Sequence, residues 1–336
     1  CTICLNLLLR THVMWSSMLR VTWNAGSVTV FTPTLTCPCS MYVTASLMVS
    51  AILSISFILA SLFAPIICRI VGVDPDTMHQ DMLDLTSGIP KVPHYGIGFS
   101  HPLGLIPGTG RDLFAQLLYG SRISFMVTFI ATFITLLIGL FIGVTAGYFR
   151  GRVDSSIGRV TDFMLSFPTF FMIVALTAPV VDRIERTGIA KGNSARILFL
   201  IVFLSVFGWP YFSRLIRSQT LSLRERDFVT AATAMGSTHH RIIWKELAPN
   251  LWAPLIVFIT LSLPAYLTSE SVYSFLGIGV QPPASTWGIL LSNSTRFVTT
   301  MPQFFIITAG SLVLVVLSFN LAGDAVRDAL DPRNER

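Results

Sequence analysis

Between Ile123 and Tyr148 the chain runs for 26 residues without one charged side chain. About 20 apolar residues are enough for a helix to cross the hydrocarbon of a bilayer. Inside that hydrocarbon every backbone N–H and C=O has to be paired within the segment, so a single stretch of this kind crosses as a helix. Five further apolar stretches obey the same rule: Met41–Val71, Asp162–Val181, Ile197–Ile216, Leu251–Leu276 and Phe304–Leu321. The expectation is an all-α, polytopic membrane protein of about six transmembrane helices. Composition supports it: 12% of the 336 residues are charged, against about 25% in soluble domains. Gly139, Gly143 and Gly147 stand four residues apart in the second stretch. That spacing suits close helix packing in lipid, with chance spacing as the alternative. Pro168 and Pro264 are expected to kink or bend their spans, and Pro210 stands near the end of the fourth.

Lysines and arginines orient such a bundle, because loops rich in them stay inside. With the N-terminus inside, the inner loops and tails hold fourteen basic residues, six of them from Arg214 to Lys245, and the outer loops hold seven. Both termini are therefore expected in the cytoplasm. The formal charge of +6 is explained by this bias. No basic patch interleaved with aromatics points to nucleic acid.

The longest polar interruption of the second half is Leu221–Pro254, on the inner side in this topology. Ser222 and Glu225 have the spacing of a capping box, which predicts a helix start. Phe228, Ala231, Ala232 and Met235 then fall at i, i+3, i+4 and i+7, one face of a helix. Thr230, Ala231 and Ala232 would leave an outer face of small residues. Gly236 is the expected stop, since glycine takes the left-handed conformation without steric cost. Thr238 is expected to cap a second helix carrying Ile242, Ile243 and Leu247, with Pro249 ending it or opening the next span. The pattern predicts a helical hairpin over 221–250. A solvated connecting loop remains the alternative on pattern alone.

This stretch resembles the coupling loop of permease subunits of bacterial ABC importers, a Glu-Ala-Ala, a glycine after three more residues, and a Pro-Asn about a dozen residues on. Thr230-Ala231-Ala232, Gly236 and Pro249-Asn250 stand at those spacings, with Thr230 where the family has glutamate. The block SFLGIGVQPPASTWG (Ser274 to Gly288) is similar to the signature of the dipeptide, oligopeptide and nickel branch. GRDLFAQLLYGSRIS (Gly110 to Ser124) and AGDAVRDALDPR (Ala322 to Arg333) resemble two further blocks of that branch. The resemblance implies a type I ABC importer permease fold in a bacterial inner membrane. It implies three kinds of partner: a second, homologous permease forming a heterodimer, one or two ATPase subunits, and an extracytoplasmic solute-binding protein. It also assigns ATPase coupling to Phe228, Thr230, Ala231, Ala232, Met235, Gly236, Pro249 and Asn250. Arg226 and Asp227 would stand in for the charge lost at Thr230. The expected cargo is a peptide. A nickel or other small-solute importer, and a self-sufficient secondary transporter, are the alternatives.

Other chemistry finds little support in the sequence. There is no phosphate-binding G-x-x-x-x-G-K-[ST] motif, so ATP hydrolysis is expected on separate chains and the chain is not read as an enzyme. His239 and His240 are adjacent and would point about 100° apart on a helix, so no metal site is expected there, and no cofactor elsewhere. Four of five cysteines precede residue 40, with no zinc-type spacing. Burying a charge in a membrane is costly, which directs attention to Asp162, Glu270 and Asp324. Glu270 is the candidate for the translocation path, Asp162 for an interface position, and Asp324 for an ion pair with Arg327. The expected division is an N-terminal extension at 1–40, upstream of a native start near Met14, Met18 or Met41. A first transmembrane helix at 41–71 and an extracytoplasmic loop at 72–120 follow. The permease core at 121–325 and a cytoplasmic tail at 326–336 complete it.

Overall fold

The computed structural model describes residues 38–84, 86–91 and 96–330. Of the extension expected at 1–40, residues 1–37 lie outside the described residues, as does the end of the tail, 331–336; residues 38–40 begin a helix. The chain divides at Thr44 into a short N-terminal unit and a large one, Ala45–Arg336. Among the described residues the only β pairing is two isolated bridges, Leu83 with Pro90 and Leu105 with Asp112. The fold is all-α.

Four helices are long and apolar enough to cross a membrane alone: α3 (Leu113–Phe149), α6 (Asn193–Arg224), α8 (His239–Phe275) and α10 (Pro302–Leu330). Two bent pairs raise the number of spans to six if each pair counts as one. The first joins α1 (Pro38–Leu62) to α2 (Ala64–Val71) with a 77° bend; the second joins α4 (Gly151–Ser166) to α5 (Thr169–Thr187) with an 82° bend. The expected kink at Pro168 is thus a full break. Phe167 and Pro168 are both extended, at ψ 130 and 100, as the residue before a proline prefers. The shorter helices are α7 (Asp227–Ala234) and α9 (Trp287–Thr295). α9 lies between the fifth and sixth apolar stretches and is too short to be a span. Thr286 caps it by accepting from the Ile289 amide at 3.3 Å.

The centre of the bundle is the parallel pair α3 and α6, in contact from Ala131 with Ser205 to Gly147 with Thr220, and the glycine stripe explains it. A methyl group on Gly139 would stand 2.6 Å from the Phe212 ring. On Gly143 it would stand 2.6 Å from the Ser213 carbonyl oxygen, and on Gly147 2.7 Å from Thr220 Cβ. Only hydrogen fits at these three crossings, so the backbones approach as small-xxx-small packing requires. Three ion pairs fasten α4 to α6 on the same side of the bundle: Arg150 with Glu225 at 2.6 Å, Arg217 with Asp154, and Arg214 with Asp162. Asp162 is therefore paired rather than simply exposed at an interface. The expected pair of Asp324 with Arg327 does not form; both are exposed, where water competes well with a single pair.

The loop before α3 ends at Asp112, earlier than the expected limit at 120. Asp112, almost fully buried, accepts from the Ala115 amide at 2.8 Å and caps α3. Its other oxygen meets His101 Nδ1 at 2.8 Å. This cap lets the helix begin ten residues ahead of the apolar run.

Candidate coupling surface and outer loop

At its C-terminal end, α6 continues past the expected limit at Ile216 to Arg224. Ser222 and Glu225 consequently form no capping box. Inside a running helix the amides around Ser222 already have carbonyl partners, so its hydroxyl has no orphan donor to satisfy. Glu225 closes α6 and turns to Arg150 instead. The chain reverses at Arg226, and α7 starts at Asp227 with no side-chain cap. An acid in the first turn serves the helix dipole in its place.

Within α7 the inward face is Val229 and Ala232, 3% and 4% exposed. They pack with Tyr148, Ile216, Ile242, Ile243, Leu247 and Leu251, drawn from α3, α6 and α8. The expected stripe of Phe228, Ala231, Ala232 and Met235 is therefore split. Ala232 faces in, while Phe228, Thr230, Ala231 and Met235 are exposed. Met235 is the extreme case at 79%. Two hydrogen bonds end α7, from Gly236 N to Thr233 O at 3.0 Å and from Ser237 N to Ala232 O at 3.1 Å. This is the paired closure of a Schellman motif, and Gly236 holds the left-handed position it needs at φ +76°.

The second arm is not a separate short helix. Thr238 accepts from Arg241 N at 3.4 Å, and from His239 the helix runs on to Phe275 as α8. Pro249 neither ends it nor starts a new one. The helix widens to a π turn over Ile242–Leu247 and tightens to a 3₁₀ turn over Ala248–Leu251. Such turns absorb the missing proline N–H without a break. Asn250 covers part of the defect by donating to Glu246 O at 2.6 Å. The hairpin is thus rigidly continuous with one span on each side. A third tie comes from Tyr148 at the end of α3, whose hydroxyl meets His239 Nδ1 at 2.7 Å. The sequence reading also missed Trp244, exposed at 37% and stacked on Phe141 at 6.0 Å. Its apolar character in a polar stretch was the available signal.

Glu270 sits near the C-terminal end of α8, wholly buried. It lines no exposed surface in this conformation. Ser274 donates to its Oε1 at 2.8 Å and Ser271 approaches Oε2 at 3.5 Å. Ser274 Oγ also accepts from the Val280 amide at 3.3 Å, so Glu270 is linked through one hydroxyl to the loop after α8. That loop is held from several helices. Asn193 exchanges two hydrogen bonds with the Gln281 backbone, at 2.7 and 2.9 Å. Ser285 donates to Gln116 O at 3.1 Å and the Trp287 indole to Leu117 O at 3.2 Å. Gly288 lies against Ser271, where a methyl group would stand 2.2 Å from the carbonyl oxygen. The conspicuous glycines, prolines and tryptophan of this block are the pieces of a loop held in place from several helices.

Residues 139–336 match the family described as binding-protein-dependent transport system inner membrane component. The chain belongs to this family. The dipeptide transport system permease protein DppC of Alkalihalophilus pseudofirmus is 35% identical over 67% of this chain and 69% of its own length. The oligopeptide transport system permease protein OppC of Mycobacterium bovis is 39% identical over 70% of this chain and 77% of its own. Among solved structures, an inward-facing form of the MetNI methionine ABC transporter matches with a TM-score of 0.51 and 20% identity. That match covers 65% of this chain and 98% of the MetNI chain. At that identity the likeness is one of fold. The chain is a multi-span permease of a cell membrane, and the self-sufficient secondary transporter is set aside.

Proposed function

We propose that this chain forms half of the translocation path of an ATP-driven peptide importer and receives the power stroke through α7. The exposed patch of Phe228, Thr230, Ala231 and Met235 carries the reading. An apolar patch on a short helix, outside the long spans and locked to three of them, is a docking surface. Its partner would be an ATPase subunit, with Arg226 and Asp227 exposed beside it to supply the polar contacts. Because α6 and α8 enter the hairpin without a flexible joint, a push on α7 rocks both spans as one lever. Gly236 keeps the angle of that lever, and Pro249 and Asn250 shape the turn at its root. A second, homologous permease would complete the path, and an extracytoplasmic solute-binding protein would deliver the cargo. The named cargoes of the relatives, dipeptides and oligopeptides, supply the proposed class. The loop charge bias supports a cytoplasmic position for both termini and α7. On this reading Glu270 braces the outer loop through Ser274 rather than touching cargo.

Co-purification tests the proposal. The tagged chain is extracted from its own host in mild detergent, its companions are identified, and ATPase activity is measured with and without peptide. Recovery of ATP-binding subunits and a second permease is the expected result. Peptide uptake by the chain alone, without ATP, would overturn it.

A further inference from the structure

The helix α4 carries four charges with different fates. Asp154 and Asp162 turn towards α6 and are taken up by Arg217 and Arg214. Arg152 and Arg159 are exposed and reach no carboxylate among the described residues. Arg159 makes only 3.4 Å contacts with Ser155 in its own preceding turn. Seven residues separate these two arginines, which is two helical turns, so they project on the same side about 10 Å apart. Next to them run Val153, Val160 and Phe163, exposed at 41%, 54% and 61%.

The direction of the helix gives this surface a setting. α4 is turned 82° from α5, the segment it feeds. A helix at nearly a right angle to its own span lies along a membrane surface. An apolar stripe flanked by arginines is the composition of helices that settle there. With both acids paired to arginines of α6, the charge of α4 that is left without a carboxylate partner among the described residues is that of the Arg152 and Arg159 guanidinium groups. Their complement is anionic, and the stripe beside them asks for hydrocarbon. One molecule provides both, a phospholipid with a negative headgroup.

We propose that α4 lies in the interface of the cytoplasmic leaflet, where Arg152 and Arg159 hold the phosphates of anionic phospholipids while Val153, Val160 and Phe163 enter the acyl region. The assignment rests on the cytoplasmic orientation proposed above and is independent of the cargo. A guanidinium holds a phosphate through paired N–H donors, and the negative inner surface adds attraction for each basic residue.

The full chain, with the subunits that accompany it, is placed in nanodiscs of phosphatidylcholine with or without phosphatidylglycerol. A fluorophore on Val160→Cys is quenched by spin labels carried on the lipid tails, and competition between the two headgroups gives the preference. Phosphatidylglycerol is expected to win, less so at high salt. Arg152→Gln or Arg159→Gln should each lower the preference about fivefold, and the double variant roughly 25-fold. Arg183→Gln, at the far end of α5, should leave it unchanged. An unaltered preference in the double variant would overturn the proposal. So would a fluorophore that no lipid-borne label quenches, since a protein partner would then cover the face. Quenching confined to labels in the outer leaflet would refute the orientation while preserving the lipid contact.

Discussion

The closest test of the packing argument is one methyl group. In Gly143→Ala the new Cβ would stand 2.6 Å from the Ser213 carbonyl oxygen and 2.8 Å from Ile216 Cβ. The oxygen belongs to the backbone of α6 and cannot rotate away as a side chain can. The helices have to part at that crossing by several tenths of an ångström. A gap of 0.5–1 Å forfeits about a quarter to a half of each affected dispersion contact. Ile216 and Phe212, both fully buried, lose most. Overpacking of this kind costs roughly 1–3 kcal/mol, a change of about 5- to 150-fold in the folding equilibrium. Gly139→Ala should cost less, because its nearest neighbour is the Phe212 ring, which can tilt. Gly158→Ala in α4 is the control, since nothing lies within 4 Å of its Cβ position. There alanine should be neutral or stabilising by up to about 1 kcal/mol. Thermal unfolding of the three variants in one detergent orders them. If Gly143→Ala matched the native protein, or Gly158→Ala did equal harm, the close-crossing account of α3 and α6 would fail.

The remaining predictions concern the hairpin and the outer loop. Gly236→Val forces a β-branched residue to φ +76° and should sharply reduce ATP-driven uptake at normal membrane abundance. Gly236→Asn, which tolerates that conformation, should retain most of it; equal uptake by both variants would remove the lever role. Met235→Glu and Phe228→Glu should cut recovery of the ATPase subunits at least tenfold without changing the melting temperature. A drop in melting temperature with unchanged recovery would show a packing role instead. Asn193→Ala removes both bonds to Gln281 and should cost about 1–3 kcal/mol, visible as faster proteolysis of the 277–286 loop. Glu270→Gln keeps an acceptor for Ser274 and should be mild, whereas Glu270→Ala also leaves a cavity and should cost about 2–4 kcal/mol.

How much of this was legible follows from what each signal reports. Hydropathy reports contact with lipid, so the spans could be found and their ends could not. α3 starts at Leu113, α6 runs to Arg224 and α8 starts at His239, each well beyond its apolar run. Those extensions are helical because Asp112 and Thr238 cap them and because neighbouring helices bury one face, which no local window contains. The glycine stripe was legible for the same reason the spans were: three residues on one face with no side chain leave room for little besides another backbone. In α7 two stripes one residue apart, Phe228 with Ala231 and Val229 with Ala232, fit a two-turn helix equally well. Ile242, Leu247 and Tyr148 decide between them from a distance, and they choose the second pair. That choice is what frees Phe228, Ala231 and Met235 for a partner. The expected stripe is therefore divided: Ala232 joins the core with Val229, and Phe228, Ala231 and Met235 stay outside. Periodicity marks a helix face without saying which surface it meets; here the burial of Val229 and Ala232 leaves Phe228 and Met235, residues the resemblance assigns to ATPase coupling, exposed where the proposed docking would need them.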